Sequence, residues 1–211
     1  MTHGAPAPYY IVNSKNLPEY LPYDATKKFQ FGSTAIELPA LKINDDTVIY
    51  VLNIMGGNPS YIVNYATDLS YGFESKFGMD VDGFITAEGK SIPLVYEIAF
   101  SYDLPYTVLR KSCKPYMGEK VLSSQVKSTT TPEEQKLYLD DKDLINVANK
   151  HLIFVDDVIT TGATLRACRE IVDTVGGCVV GCMAMALEGN YKPTIPTYYL
   201  CNLPVIKIEK K

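Results

Sequence analysis

Apolar positions along the chain follow two periods that take turns. Thr47 to Ile54, Asp82 to Ala87, Leu104 to Leu109, Leu152 to Val155 and Cys178 to Leu187 are short runs of β-branched and apolar residues, which predict strands. Between them Ile62, Ala66, Leu69, Phe73 and Phe77 recur at steps of four and three, as one face of a helix does. Asn58 suits the cap of that helix, Pro59 its first position and Gly78 its stop. Ile92 to Ser101 predicts a second helix, and Leu165, Cys168, Ile171, Val172 and Val175 mark a third that ends at Gly176 and Gly177. The uninterrupted apolar run Leu152 to Val155 fits a strand buried on both faces of a parallel sheet, where ligands bind outside the carboxyl ends of the strands.

Three stretches break this alternation. Residues 1 to 45 are rich in Tyr and Pro and show no sustained helical period, so they are expected to form an arm or hood, either disordered or packed on the body or a partner subunit. Residues 116 to 138 turn polar around STTTPEEQ with alternation on either side, which predicts a two-stranded excursion, a lid or a passive hairpin. Beyond Leu187, the runs Thr197 to Leu200 and Pro204 to Ile208 are expected to complete a sheet edge or cover a site as a C-terminal hood over 188 to 211. At 211 residues the chain has room for one domain with such appendages.

Charge and composition exclude more than they assign. A hydrophobic content of 46% with 21% charged residues is ordinary for a globular protein, and a net charge of −4 offers no broad basic field for nucleic acid. No uncharged apolar run reaches membrane-spanning length, and the first residues lack the basic start and apolar stretch of a signal peptide. Cys113, Cys168, Cys178, Cys182 and Cys201 lack metal-ligand spacing and fall mostly in apolar segments, so reduced, buried thiols in a cytoplasmic setting are expected.

Candidate chemistry collects at the ends of the predicted strands. Asp156 and Asp157 follow Val155, and Thr160, Thr161, Gly162, Ala163 and Thr164 then set hydroxyls and backbone N–H groups at a helix N-terminus, which favours a phosphate. Glu88, Gly89, Lys90 and Ser91 form a second loop at the same edge, in which Gly89 permits close approach of the backbone and Lys90 brings a positive charge. Arg110, Lys111 and Lys114 cluster after a third strand, suited to phosphate oxygens.

Val155 through Thr164 closely resembles the phosphoribosyl-pyrophosphate (PRPP) signature of the type I phosphoribosyltransferases. With ITAEGKSI, LRKSCK and the STTTPEEQ region, the resemblance covers roughly residues 82 to 191 and points to the purine branch, which holds adenine and xanthine phosphoribosyltransferases and a PRPP-responsive repressor. It implies an α/β fold with an open, mostly parallel sheet, helices on both faces, a core over 82 to 187, a lid hairpin and a small hood. It also implies a magnesium-dependent transfer of ribose 5-phosphate from PRPP to a purine base in purine salvage, with Mg2+ bound through the pyrophosphate, and a homodimer.

Carried over by position, Asp156 and Asp157 accept the ribose hydroxyls and Thr160 to Thr164 hold the 5′-phosphate. Glu88, Gly89, Lys90, Arg110, Lys111 and Lys114 surround pyrophosphate, with Lys90 and Arg110 counted with the two acids as catalytic. Leu187, Glu188 and Tyr191 contact the base. Relatives selective for 6-oxopurines place a Lys after the acid that follows the last core strand, and here Gly189 stands there, so adenine is the expected acceptor, although Lys192 lies close by. Xanthine, guanine or hypoxanthine remain alternatives, as do orotate or uracil and a non-enzymatic PRPP-binding regulator. Against the regulator, residues 1 to 40 carry no helix-turn-helix pattern.

Overall fold

The computed structural model describes residues 26–44, 47–118, 121–126 and 135–207. In chain order the elements are β1 (Thr26–Phe31), β2 (Thr34–Asn44), β3 (Thr47–Tyr50), α1 (Pro59–Phe77), β4 (Gly83–Ala87), α2 (Ile92–Tyr102), β5 (Tyr106–Leu109), β6 (Leu122–Val126), β7 (Gln135–Leu139), a 3-10 turn over Asp141–Asn146, β8 (His151–Ile159), α3 (Ala163–Thr174), β9 (Cys178–Glu188), β10 (Thr197–Leu203) and β11 (Ile206–Lys207). Five strands form a parallel sheet in the order β10-β9-β8-β4-β5. The chain runs outward from β4 to β5 and then crosses back to β8, so the direction of winding reverses between β4 and β8. Such a reversal opens a crevice at the carboxyl ends of those two strands.

Alternate side chains of each strand enter two separate cores. Phe84, Ile153, Val155, Met183 and Met185 pack with Leu69 and Phe73 of α1 and Leu94 and Ile98 of α2, while Ile85, Phe154, Cys182 and Ala184 pack with Cys168, Ile171 and Val172 of α3. Helices therefore cover both faces, which is why β8 and β9 read as continuous apolar runs. Helix α1 begins as its sequence dictates: Asn58 Oδ1 accepts from Ser60 N at 3.0 Å with Pro59 next in line, and Gly78 closes it at φ 79°.

The terminal strands build a second, antiparallel sheet in the order β1-β2-β3-β11, which is the hood. The expectation for 1 to 45 was a Tyr/Pro-rich arm or hood with no strands assigned, and 26–44 is a regular hairpin. Its buried positions are spaced by two at Phe29 and Phe31, between exposed Lys28 and Gln30, and this alternation is too short to stand out beside the prolines upstream. The turn is tied down by Asp68 of α1, whose Oδ2 accepts from Ser33 N at 2.7 Å and Ser33 Oγ at 2.8 Å. The Tyr/Pro-dense stretch before Thr26 lies outside the described residues, as does most of STTTPEEQ.

Three further expectations change. Strand β3 ends at Tyr50 rather than Ile54, and beyond it Leu52 and Ile54 are buried in the α1/α2 core. The polar insertion does give an antiparallel pair, β6 with β7, but Val126, Leu137 and Leu139 bury its base in the core beneath α3, and Ser124 Oγ donates to the Glu170 carboxylate. All five cysteines are free, and Cys113 and Cys178 are exposed rather than buried. Among the described residues, no helix is long and apolar enough to cross a membrane.

Candidate active site

Strand β8 does not stop at the acid pair. Its ladder with β4 ends at Phe154 opposite Ile85, whereas its ladder with β9 continues through Asp156 opposite Ala184 to Ile159 opposite Leu187. The two acids therefore stand where β8 has left β4 and the crevice begins. Two hydroxyls span the gap that the backbone no longer bridges. Thr86, fully buried, donates to Val155 O at 2.7 Å. Ser91, 1% exposed, donates to Asp156 Oδ1 at 2.8 Å and accepts from Asp157 N at 3.0 Å.

Asp156 Oδ1 also accepts from Asp157 N at 2.9 Å. Burial, and then the neighbouring Asp157 charge, push the Asp156 carboxyl well above the usual carboxylate range, against the Ser91 hydroxyl, which pulls it down. Lys90 Nζ lies 2.7 Å from Asp157 Oδ2 and donates to Leu52 O at 3.0 Å. Asp157 Oδ2 is buried, and the Lys90 ammonium is its charge partner.

The Thr160–Thr164 loop leads into α3 with Gly162 at φ 69°. A methyl group there would stand 2.7 Å from Tyr191 Cε2, so this glycine answers both to a left-handed backbone and to a ring lying against it. Thr161 Oγ1 accepts from Ala163 N at 3.3 Å, Arg166 Nη1 donates to Thr161 O at 2.8 Å, and Thr160 Oγ1 donates to Glu188 Oε2 at 2.8 Å. Burial raises the Glu188 carboxyl, offset by the Thr160 hydroxyl and the Lys90 charge. Thr164 is half-buried on the first turn of α3.

On the other flank Glu88 organises the basic loop. Its Oε1 lies 3.3 Å from Arg110 Nη2 and its Oε2 accepts from Lys111 N at 3.0 Å. Arg110 pairs with Tyr138 of β7 through both backbone groups, at 2.9 and 2.8 Å, and its Nη2 donates to Tyr116 Oη at 3.3 Å. Lys111 is exposed and Lys114 half-buried. Gly89 is not in the left-handed region, and a Cβ on it would meet nothing within 4 Å. Its value is open space rather than strain.

The structure thus gathers Lys90, Asp156 and Asp157 into one cluster, Thr160 with Glu188, Gly162 with Tyr191, and Glu88 with Arg110 and Lys111. Leu187 stands apart: its side chain is 4% exposed and belongs to the core beneath α3, because it falls on the inward phase of β9. Sequence reasoning missed Thr86 and the carbonyl of Leu52, and it read Ser91 only as part of a loop. The adjacency of Ser91 to Lys90 was the available signal, whereas nothing in the sequence marks a backbone carbonyl. For magnesium the donor set is lean: the Glu88 carboxylate is already engaged by Arg110 and Lys111, which suits an ion held mainly by pyrophosphate oxygens and water.

Fold and topology define a doubly wound α/β protein with a crevice at the reversal between β4 and β8. A phosphoribosyl transferase domain model matches residues 64–201, and the chain belongs to that family, among its type I purine members. The match begins inside α1, well before the 82 to 191 span of the motif resemblance. A hypoxanthine/guanine phosphoribosyltransferase of Methanothermococcus okinawensis is 32% identical over 117 residues, covering 56% of this chain and 60% of that protein. Another from Methanococcus maripaludis is 30% identical over 141 residues, covering 67% of this chain and 72% of that one. Among solved structures, adenine phosphoribosyltransferase of Saccharomyces cerevisiae superposes with a TM-score of 0.63 at 14% identity, covering 84% of this chain and 94% of that one. The Trypanosoma brucei enzyme gives 0.60 at 15%, covering 85% and 76%. At these identities the superpositions establish the open-sheet fold.

Proposed function

We propose that the chain transfers the ribose 5-phosphate of PRPP to a purine base, releasing pyrophosphate and a nucleoside monophosphate. The observation that carries this reading is the paired carboxylate at the mouth of the β4/β8 crevice, with a buried Asp157 oxygen held by the Lys90 ammonium and a Gly-containing helix N-terminus a few residues downstream. Asp156 and Asp157 accept the ribose hydroxyls, the first of them through the oxygen that Ser91 does not use. The Thr160–Thr164 loop receives the 5′-phosphate. Lys90, Arg110, Lys111 and Lys114, with the open backbone at Gly89, face the pyrophosphate, and Glu88 holds Arg110 and Lys111 in register.

When bound, magnesium neutralises charge on the departing pyrophosphate. The chain itself aligns the reactants and excludes water, for which the β6/β7 hairpin serves as lid. No nucleophilic side chain is needed. In this reading 82 to 187 is the catalytic core, the terminal segments form the hood, and the protein works in the cytoplasm as a homodimer in purine salvage.

For the acceptor we favour adenine. Gly189, at φ 65°, follows Glu188, so the position after that acid carries no ammonium to donate to a 6-oxo group, and the exposed Lys192 is three residues farther on. The base then lies near Tyr191 and Glu188 rather than on Leu187. A second reading, hypoxanthine or guanine, is favoured by the function named for the Methanothermococcus and Methanococcus relatives. Two measurements test the proposal. Asp157→Ala should lower kcat/KM for PRPP about 100-fold or more, the worth of one or two charge-assisted hydrogen bonds, with the melting temperature little changed. Near-normal activity overturns the ribose assignment. A kcat/KM comparison across four purines decides the acceptor, and a tenfold preference for a 6-oxopurine, about 1.4 kcal/mol, overturns adenine.

A further inference from the structure

Ser91 occupies the N-cap position of α2, where a serine ordinarily turns its hydroxyl to a backbone N–H of its own helix. Here it makes no such bond. The hydroxyl is instead spent across 65 residues of sequence, donating to Asp156 Oδ1 at 2.8 Å while accepting from Asp157 N at 3.0 Å. The residue is 1% exposed although its neighbour Lys90 is open to solvent and Gly89 borders empty space. The position is also where the β4–β8 ladder has already ended, at Ile85 and Phe154, so no backbone hydrogen bond between those strands fixes the acid pair.

From this geometry we infer that Ser91 is a positioning residue: it locks the carboxylate of Asp156 and the backbone of Asp157 to the Glu88–Ser91 loop, so that the ribose acceptors and the pyrophosphate loop form one rigid unit. The inference rests on the ribose-binding reading of the acid pair. One hydroxyl meets both needs because it is donor and acceptor at once. A methyl group in its place removes the donor to a carboxylate and leaves Asp157 N–H with only the Asp156 oxygen, while Asp156 loses the contact that draws it toward ionisation. The groups facing Asp156 are Asp157 on its own strand, Ser91 from α2, Cys168 from α3 and Cys182 from β9. Among these Ser91 is the one that both donates to the carboxylate and belongs to the pyrophosphate loop.

The test compares Ser91→Ala, Ser91→Thr and Asp157→Ala with the parent in steady-state assays on PRPP across pH. For Ser91→Ala we expect KM for PRPP to rise about tenfold, the worth of one buried hydrogen bond, with kcat within about threefold. The acid limb of kcat/KM should move to higher pH. Ser91→Thr keeps the hydroxyl and should restore both. If Ser91→Ala matches the parent in KM and acid limb while Asp157→Ala is inactive, the positioning role is wrong and the ribose reading stands. If Asp157→Ala stays active, both fall. If Ser91→Ala loses stability and kcat together with KM unchanged and threonine does not rescue, the residue is structural and the inference is overturned.

Discussion

Gly162→Ala isolates two costs that the structure separates. The backbone is left-handed at φ 69°, which costs an L-residue roughly 1–2 kcal/mol. The added methyl would lie 2.7 Å from Tyr191 Cε2, 2.8 Å from its Oη and 3.0 Å from its Cζ, inside van der Waals contact, so the ring must move. Displacing a half-buried ring adds about 1 kcal/mol, at the low end for overpacking. The sum, about 2–3 kcal/mol, should lower the melting temperature by roughly 5–10 °C in a chain of this size. Tyr191→Ala in the same background removes the clash but not the left-handed strain, so urea denaturation of the four combinations should give a coupling of about 1 kcal/mol that favours the double variant. A Gly162→Ala loss under about 0.5 kcal/mol, or additive single effects, refutes the account. Because the loop is also the expected phosphate cradle, the binding of inorganic phosphate should weaken in Gly162→Ala and not recover in the double variant.

Two other outcomes follow from the site and its surroundings. The Asp156 carboxyl is raised in the folded chain, so between the ordinary carboxylate pKa, about 4, and its raised value the native state binds the extra proton and loses stability as pH rises. Ligand-free Asp156→Asn should therefore melt above the parent at neutral pH, with the gap closing as pH falls toward about 4, and a gap that is constant or widens on acidification contradicts this. Leu137→Ala should cost about 2–5 kcal/mol in urea denaturation, because that side chain is 1% exposed in the core beneath α3. A loss under about 1 kcal/mol would show that the β6/β7 hairpin contributes little to the fold.

What the sequence made legible was what repeats or what carries chemistry in a row. Helix α1 was readable to its caps, because Asn58, Pro59 and Gly78 act locally through backbone groups within a few residues. The parallel strands were readable because burial on both faces leaves unbroken apolar runs. Asp156, Asp157 and the Thr160–Thr164 loop stood out because strand end, acids and helix start are contiguous. The first strand of the hood hairpin was lost because Phe29 and Phe31 alone alternate with polar residues beside a Pro-rich stretch, which makes a weak signal. Lys90 was read only as a positive charge for the pyrophosphate, and its attachment to Asp157 and to the carbonyl of Leu52 is set by tertiary packing that no local pattern encodes. The same holds for Ser91, whose partners lie 65 and 66 residues away.

The pairing of Lys90 with Asp157, and of Arg110 with Glu88, means that two of the cations at the crevice already have carboxylate partners. At these two a polyphosphate would gain the difference between two attractions rather than the whole of one, since each must loosen its hold on a carboxylate to greet it. Seen as kinetics, the net charge of −4 and these internal pairs leave little long-range field to hasten encounter. Seen as selectivity, a fragment bearing only the phosphates must break the Lys90–Asp157 pair and strand the acid. A ligand carrying both phosphates and a sugar diol supplies each separated partner with a replacement.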